Sequence, residues 1–92
     1  MNIDKKFKKL GYKKKHESHI VTTYEKIEKT GAGDFVHIIE LCHKRHLKGF
    51  VCFSYEEGTY HVVRLSEKEM KLCLKAMKEF NKRYIKVVAQ NG

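Results

Sequence analysis

With 92 residues, no proline and 41% apolar content, the chain has the size and composition of one small globular domain spanning residues 1–92. Its 20 Lys and Arg against 11 Asp and Glu give a net charge of +9, which attracts polyanions and repels further copies of the same chain. Three cysteines are an odd number with no secretory leader before them, and the longest apolar run, Phe50-Val51-Cys52-Phe53, is far too short to span a bilayer. A disulfide framework and a membrane span are thereby excluded, and a cytoplasmic protein with reduced thiols is expected.

In chain order, Ile3, Phe7 and Leu10 recur at helical spacing, and Gly11 follows where a left-handed cap is wanted, so a helix of about eight residues is predicted at the N-terminus. So short a helix is marginal alone in water, and its apolar face must dock on the rest of the domain, leaving its lysines in solvent. From Tyr12 to Leu65 the period changes to two. β-branched and aromatic residues concentrate in Ile20–Ile27, Phe35–Cys42, Gly49–Tyr55 and Thr59–Leu65, which read as four strands. Thr30–Asp34, Lys44–Lys48 and Glu56–Gly58 are short enough to join antiparallel neighbours, so the sheet is predicted to be a meander. The strand over Gly49–Tyr55 is apolar on both sides, which implies a central position or a second covered surface. The more polar first strand is expected nearer an edge.

Ser66-Glu67-Lys68-Glu69 has the form of a capping box and opens a second helix expected to run to about Lys86. Met70, Cys73, Met77, Phe80 and Tyr84, flanked by Leu72 and Ala76, form its apolar stripe, while Lys71, Lys75, Lys78, Lys82 and Lys86 line the opposite side. The predicted class is α+β: a four-stranded antiparallel meander with a short N-terminal and a long C-terminal helix, in the order α-β-β-β-β-α.

Seven lysines, Lys5, Lys6, Lys8, Lys9, Lys13, Lys14 and Lys15, form one basic group, and the helical stripe Lys71, Lys75, Lys78, Lys82 and Lys86 forms a second. Amphipathic helices commonly carry such solvated lysines. The imbalance of sign goes beyond solubility, which mixed charges would serve equally well, and points to phosphate binding. Phe7, Tyr12, Tyr24, Tyr55 and Tyr60 would add base stacking if they lay beside the lysines. No helix-turn-helix, zinc-finger or RNP-like pattern sharpens the reading.

His37, Glu40, Cys42, His43, His46, Cys52 and His61 are metal-binding residue types. Adjacent Cys42 and His43 would point to opposite faces of a strand, and no CxxC pair is present, so no metal and no cofactor are expected. No catalytic residue is assigned, because no nucleophile and base stand at a diagnostic spacing. Glu40 is expected to pair with a basic neighbour such as Arg64 or Lys48. Gly31-Ala32-Gly33 leads into a strand rather than a helix and reads as a hairpin turn.

The element order and the segments Phe7-Lys-Lys-Leu-Gly-Tyr12, Ile39-Glu-Leu-Cys-His-Lys-Arg45, Phe53-Ser-Tyr55 and Leu65-Ser-Glu-Lys-Glu-Met70 resemble small uncharacterised proteins of bacteriophages and prophages of Gram-positive bacteria. The resemblance covers most of the chain and implies an accessory protein in the bacterial host cytoplasm, where small phage proteins bind nucleic acid or inhibit host machinery. It implies no catalytic residues.

Together these readings give a non-enzymatic basic module that binds nucleic acid through phosphate contacts. The alternative is a phage-type accessory protein that binds or inhibits a host protein or a nucleic-acid-handling complex, through a sheet edge or the apolar residues of the Gly49–Tyr55 strand. The expected partner is nucleic acid or an acidic protein surface, not a membrane, with the chain a monomer or homodimer.

Overall fold

A computed structural model of the chain describes residues 2–31, 33–44, 48–56 and 59–91, with side chains for all of these except residues 30, 56, 59, 60 and 85–91. The element order is α1 (Ile3–Lys9), β1 (Lys13–Glu17), β2 (Val21–Thr30), β3 (Gly33–Cys42), β4 (Gly49–Glu56), β5 (Thr59–Val62) and α2 (Glu67–Asn91). The five strands form one antiparallel sheet in the order β1-β2-β3-β4-β5. No described helix is long and apolar enough to cross a membrane.

The expected strand count of four is therefore corrected to five. The added strand, Lys-Lys-Lys-His-Glu over Lys13–Glu17, has no apolar alternation to announce it. It forms because its backbone pairs with β2, first as Lys13↔Glu25 and Lys14↔Tyr24, then, after a bulge, as His16↔Thr23 and Glu17↔Thr22. Lysines and a bulge are what an outermost strand needs to discourage pairing with other chains. The Val21–Thr30 strand, expected nearer an edge, is second from it, as β4 is from the other edge. The β2–β3 turn is tighter than predicted, with Thr30 pairing Gly33; Ala32 lies outside the described residues.

Both helix starts follow their local chemistry. Asn2 caps α1 by accepting from the Asp4 N–H at 2.8 Å. The helix ends on Gly11 at φ 92, with Gly11 N–H donating to Lys8 O at 3.0 Å and Tyr12 N–H to Phe7 O at 2.9 Å, the paired bonds of a Schellman close. At α2 the capping box forms as predicted: Ser66 Oγ accepts from Glu69 N–H at 3.2 Å, and a Glu69 carboxylate oxygen accepts from Ser66 N–H at 3.0 Å. The helix continues past the expected end near Lys86 to Asn91.

Strand alternation sorts the side chains into two faces. Tyr24, Ile39, Leu41 and Cys52 share one face through the cross-strand pairs Tyr24↔Ile39, Thr22↔Leu41 and Ile39↔Cys52, and all are buried. Both helices cover this face. Phe7 of α1 stacks on Tyr24 with ring centroids 3.9 Å apart, and Leu72, Cys73, Ala76, Met77 and Phe80 of α2 complete the same cluster. Met70, expected in the stripe, is instead 47% exposed, because the packed arc of α2 is centred on Cys73, Ala76 and Phe80. The opposite face carries Ile27, Val36, Ile38, Val51, Phe53 and Val62, and no helix covers it among the described residues. The apolar second side of β4 therefore marks an open surface, not a covered one. β4 itself lies between β3 and β5, one strand away from the centre.

Candidate nucleic-acid interface

The helix layer sorts its charges by where they can be satisfied. Three carboxylates, Asp4, Glu17 and Glu69, meet tyrosines and bases at the seams between elements, while Glu67 and Glu79 of α2 are exposed. Tyr24 Oη donates to Asp4 at 2.6 Å, and Lys14 Nζ joins the same Asp4 at 2.8 Å and Glu17 at 2.9 Å. Glu17 also accepts from Arg83 at 2.8 Å and from the Tyr84 hydroxyl, so it ties β1 to α2. Tyr12 donates to Glu69, the carboxylate of the capping box, while Lys26 lies 4.9 Å over the Tyr12 ring.

These contacts set the protonation of the seam. Burial would raise Glu17, but hydrogen bonds from Tyr84, Lys14 and Arg83 outweigh it and hold the carboxyl down to about 2. Asp4 is lowered in the same way, its burial outweighed by hydrogen bonds from Lys14 and Tyr24, and Glu69 likewise by Tyr12 and Ser66. Tyr12 and Tyr24 are raised, first by burial and then by donating to these carboxylates. The seam acids Asp4, Glu17 and Glu69 are thus ionised and paired at the junctions between elements.

With Asp4, Glu17 and Glu69 engaged and Glu67 paired with Lys71, Glu79 is the remaining carboxylate of the described helix layer among its outward lysines. Lys5, Lys8 and Lys9 on α1 and Lys75, Lys78 and Lys82 on α2 are exposed, and none makes an ion pair among the described residues. Where α1 packs on α2, Lys6 and Lys75 are close enough to interact. Lys6 has its pKa lowered first by the adjoining Lys75 side chain, then by desolvation, with Lys9 adding and Glu79 opposing. Basic side chains of α1 and α2 therefore adjoin at Lys6 and Lys75.

Other members of the predicted set are placed differently. Lys14 is committed to Asp4 and Glu17, and its pKa is raised by those two hydrogen bonds. Lys13 and Lys15 stand on the β1 edge, Lys15 within 3.9 Å of Glu25. Lys71 bonds Glu67 one turn earlier at 3.0 Å, a pair exposed on both sides. The side chain of Lys86 lies outside the described residues. Lys68, which the stripe reading missed, is exposed seven residues before Lys75 and fourteen before Lys82; that heptad spacing is the signal that would have found it.

Of the aromatic residues expected to stack on bases, those whose side chains are described do not flank this surface. Phe7, Tyr12 and Tyr24 are buried, Tyr55 lies half-buried in β4 on the open sheet face, and the Tyr60 side chain is outside the described residues. The metal-type residues are also dispersed. His37 faces the helix side and bonds Glu28 at 2.8 Å, whereas Glu40 and Cys42 belong to the open face. His43 is buried on the helix side, bonded to Thr22 at 2.8 Å and packed against the Phe80 and Tyr84 rings. Arg45 and His46 lie outside the described residues. Among the described residues no three His, Cys, Asp or Glu side chains converge. The expected pairing of Glu40 with Arg64 or Lys48 is absent: Glu40 is half-buried between Thr23 and Val51, on the face away from the helices, with no ion-pair partner among the described residues.

No family model, no curated protein and no solved structure matches this chain.

Proposed function

We propose that the chain is a non-enzymatic binding module that grips nucleic acid by its phosphates along the helix layer. The observation that supports this reading is the junction of Lys6 and Lys75 where α1 packs on α2, with Asp4, Glu17 and Glu69 paired in the seam beside it. Like charges held side by side cost free energy in the absence of an anion, and a phosphate relieves that cost while releasing counterions. With its nearest aromatics buried, the layer supplies charge without a stacking platform, so binding is weakly selective for sequence. The same lysines would meet an acidic protein face. The resemblance to phage and prophage proteins supports an accessory role on either target.

The test is a titration of labelled single-stranded and duplex oligonucleotides with wild type and a Lys6→Glu/Lys75→Glu/Lys78→Glu/Lys82→Glu variant. About five phosphate contacts predict a loss of affinity of about 10²- to 10³-fold between 50 and 200 mM salt, with the variant inactive at both. No binding at low salt, or a variant that binds as wild type does, refutes the proposal.

A further inference from the structure

The sheet has a second face that the helix layer leaves bare. Strand register places Ile27, Val36, Ile38, Val51, Phe53 and Val62 together there, on four neighbouring strands. Ile27 is 55%, Val51 41% and Val62 86% exposed, and Val51, Phe53, His61 and Val62 line a shallow hollow of about 420 Å³. A contiguous apolar patch of this kind on a chain otherwise covered in lysine marks a contact surface.

Area, charge and edges narrow the occupant. The bare face, spanning β2 to β5 with seven paired residues between β3 and β4, measures about 20 by 25 Å from strand spacing and rise, a flat footprint of about 500 Å² before side-chain relief is counted, of the order of the roughly 800 Å² that each partner of a standard interface buries.

Its charged residues by register are Lys13, Glu25, Lys29, Asp34 and Glu40, a net of minus one on a chain whose total is +9, and Lys15 lies 3.9 Å from the same Glu25. A polyanion therefore finds no basic surface here, and two copies meeting through this nearly neutral face keep their basic helix layers on opposite outer surfaces, as far apart as the fold allows. Strand addition is opposed at the β1 edge by its lysines and bulge, and at the β5 edge the strand is only four residues long. A face-to-face contact remains.

We propose that this face is the surface through which two copies of the chain associate, stacking their sheets about 10 Å apart as a four-layer helix–sheet–sheet–helix dimer. Sedimentation equilibrium from about 2 to 200 μM should give wild type a mass of twice 10.9 kDa at the upper end. Val51→Lys/Val62→Lys should remain at 10.9 kDa with an unchanged far-UV spectrum. Leu74→Lys, the same kind of change at a 52% exposed site on α2, should still dimerise. As a readout free of variants, alkylation of Cys42, half-buried on the same face, should slow in wild type as concentration rises. A wild type that stays monomeric at 200 μM, a dimer that survives the sheet pair but not Leu74→Lys, or a Cys42 rate independent of concentration would each overturn the proposal.

Discussion

On the helix-covered face Tyr24, Ile39 and Leu41 are wholly buried, whereas on the opposite face Ile27 and Val62 are 55% and 86% exposed, although the same strands supply both sets by simple alternation. The faces differ in polar chemistry too. The covered face places a tyrosine or a base against each of Asp4, Glu17 and Glu69, while Glu40 on the bare face has no ion-pair partner among the described residues. A two-period strand pattern thus says which residues share a face and not whether anything covers it; coverage is decided by the stripe and seam contacts of the helices.

Acid should remove the difference most completely. Glu17, Asp4 and Glu69 are all held below their ordinary values of 4.5, 3.8 and 4.5, so their stabilisation is full above that range and drains as pH falls through it toward 2. His43 is held below its ordinary 6.5, chiefly by burial, so its protonation also favours unfolding, and this contribution is full above 6.5 and declines beneath it. Melting temperature from pH 8 to 3 should fall in two stages, and His43→Phe should flatten the upper one. A profile that rises on acidification would contradict the seam as described.

Truncation separates the faces next. Phe80, 1% exposed and packed on His43 and Tyr84, should cost about 3–5 kcal/mol as Phe80→Ala in urea denaturation. Ile27→Ala on the bare face should stay within about 0.5 kcal/mol when measured near 1 μM, where association does not contribute. Glu17→Gln should cost about 1–3 kcal/mol, since it weakens bonds from Arg83, Lys14 and Tyr84 in a partly buried seam. The smallest effect belongs to Glu67→Gln, about 0.3–0.5 kcal/mol, because its pair with Lys71 is solvent-exposed on both sides. Equal costs for Glu17→Gln and Glu67→Gln would refute the distinction between seam and surface pairs.

Much of the covered face was legible in the sequence where local rules decide structure. Gly11 ended α1, the Ser66 and Glu69 box began α2, and the β-branched runs located β2, β3 and β4. β1 was not legible, because its lysines carry no alternation and only pairing with β2 makes it a strand. For the candidate site, the lysines of both helices could be named from spacing. Their meeting at Lys6 and Lys75 could not, because it depends on α1 docking beside α2. Lys14 shows the converse: a member of the basic run by sequence, it is a structural tie between Asp4 and Glu17.

Every strand in this sheet neighbours the one next to it in sequence, so its pairings close through short loops. The bonds from Tyr12 to Glu69 and from Tyr84 to Glu17 span 57 and 67 residues, and their loop-closure entropy falls due only once α2 exists. The meander is thus built to nucleate early and the helical seam to latch late. Substitutions in the β2–β3 hairpin should chiefly slow folding, whereas those at the seam should chiefly speed unfolding, and the persistence of the folded chain is governed by the latch.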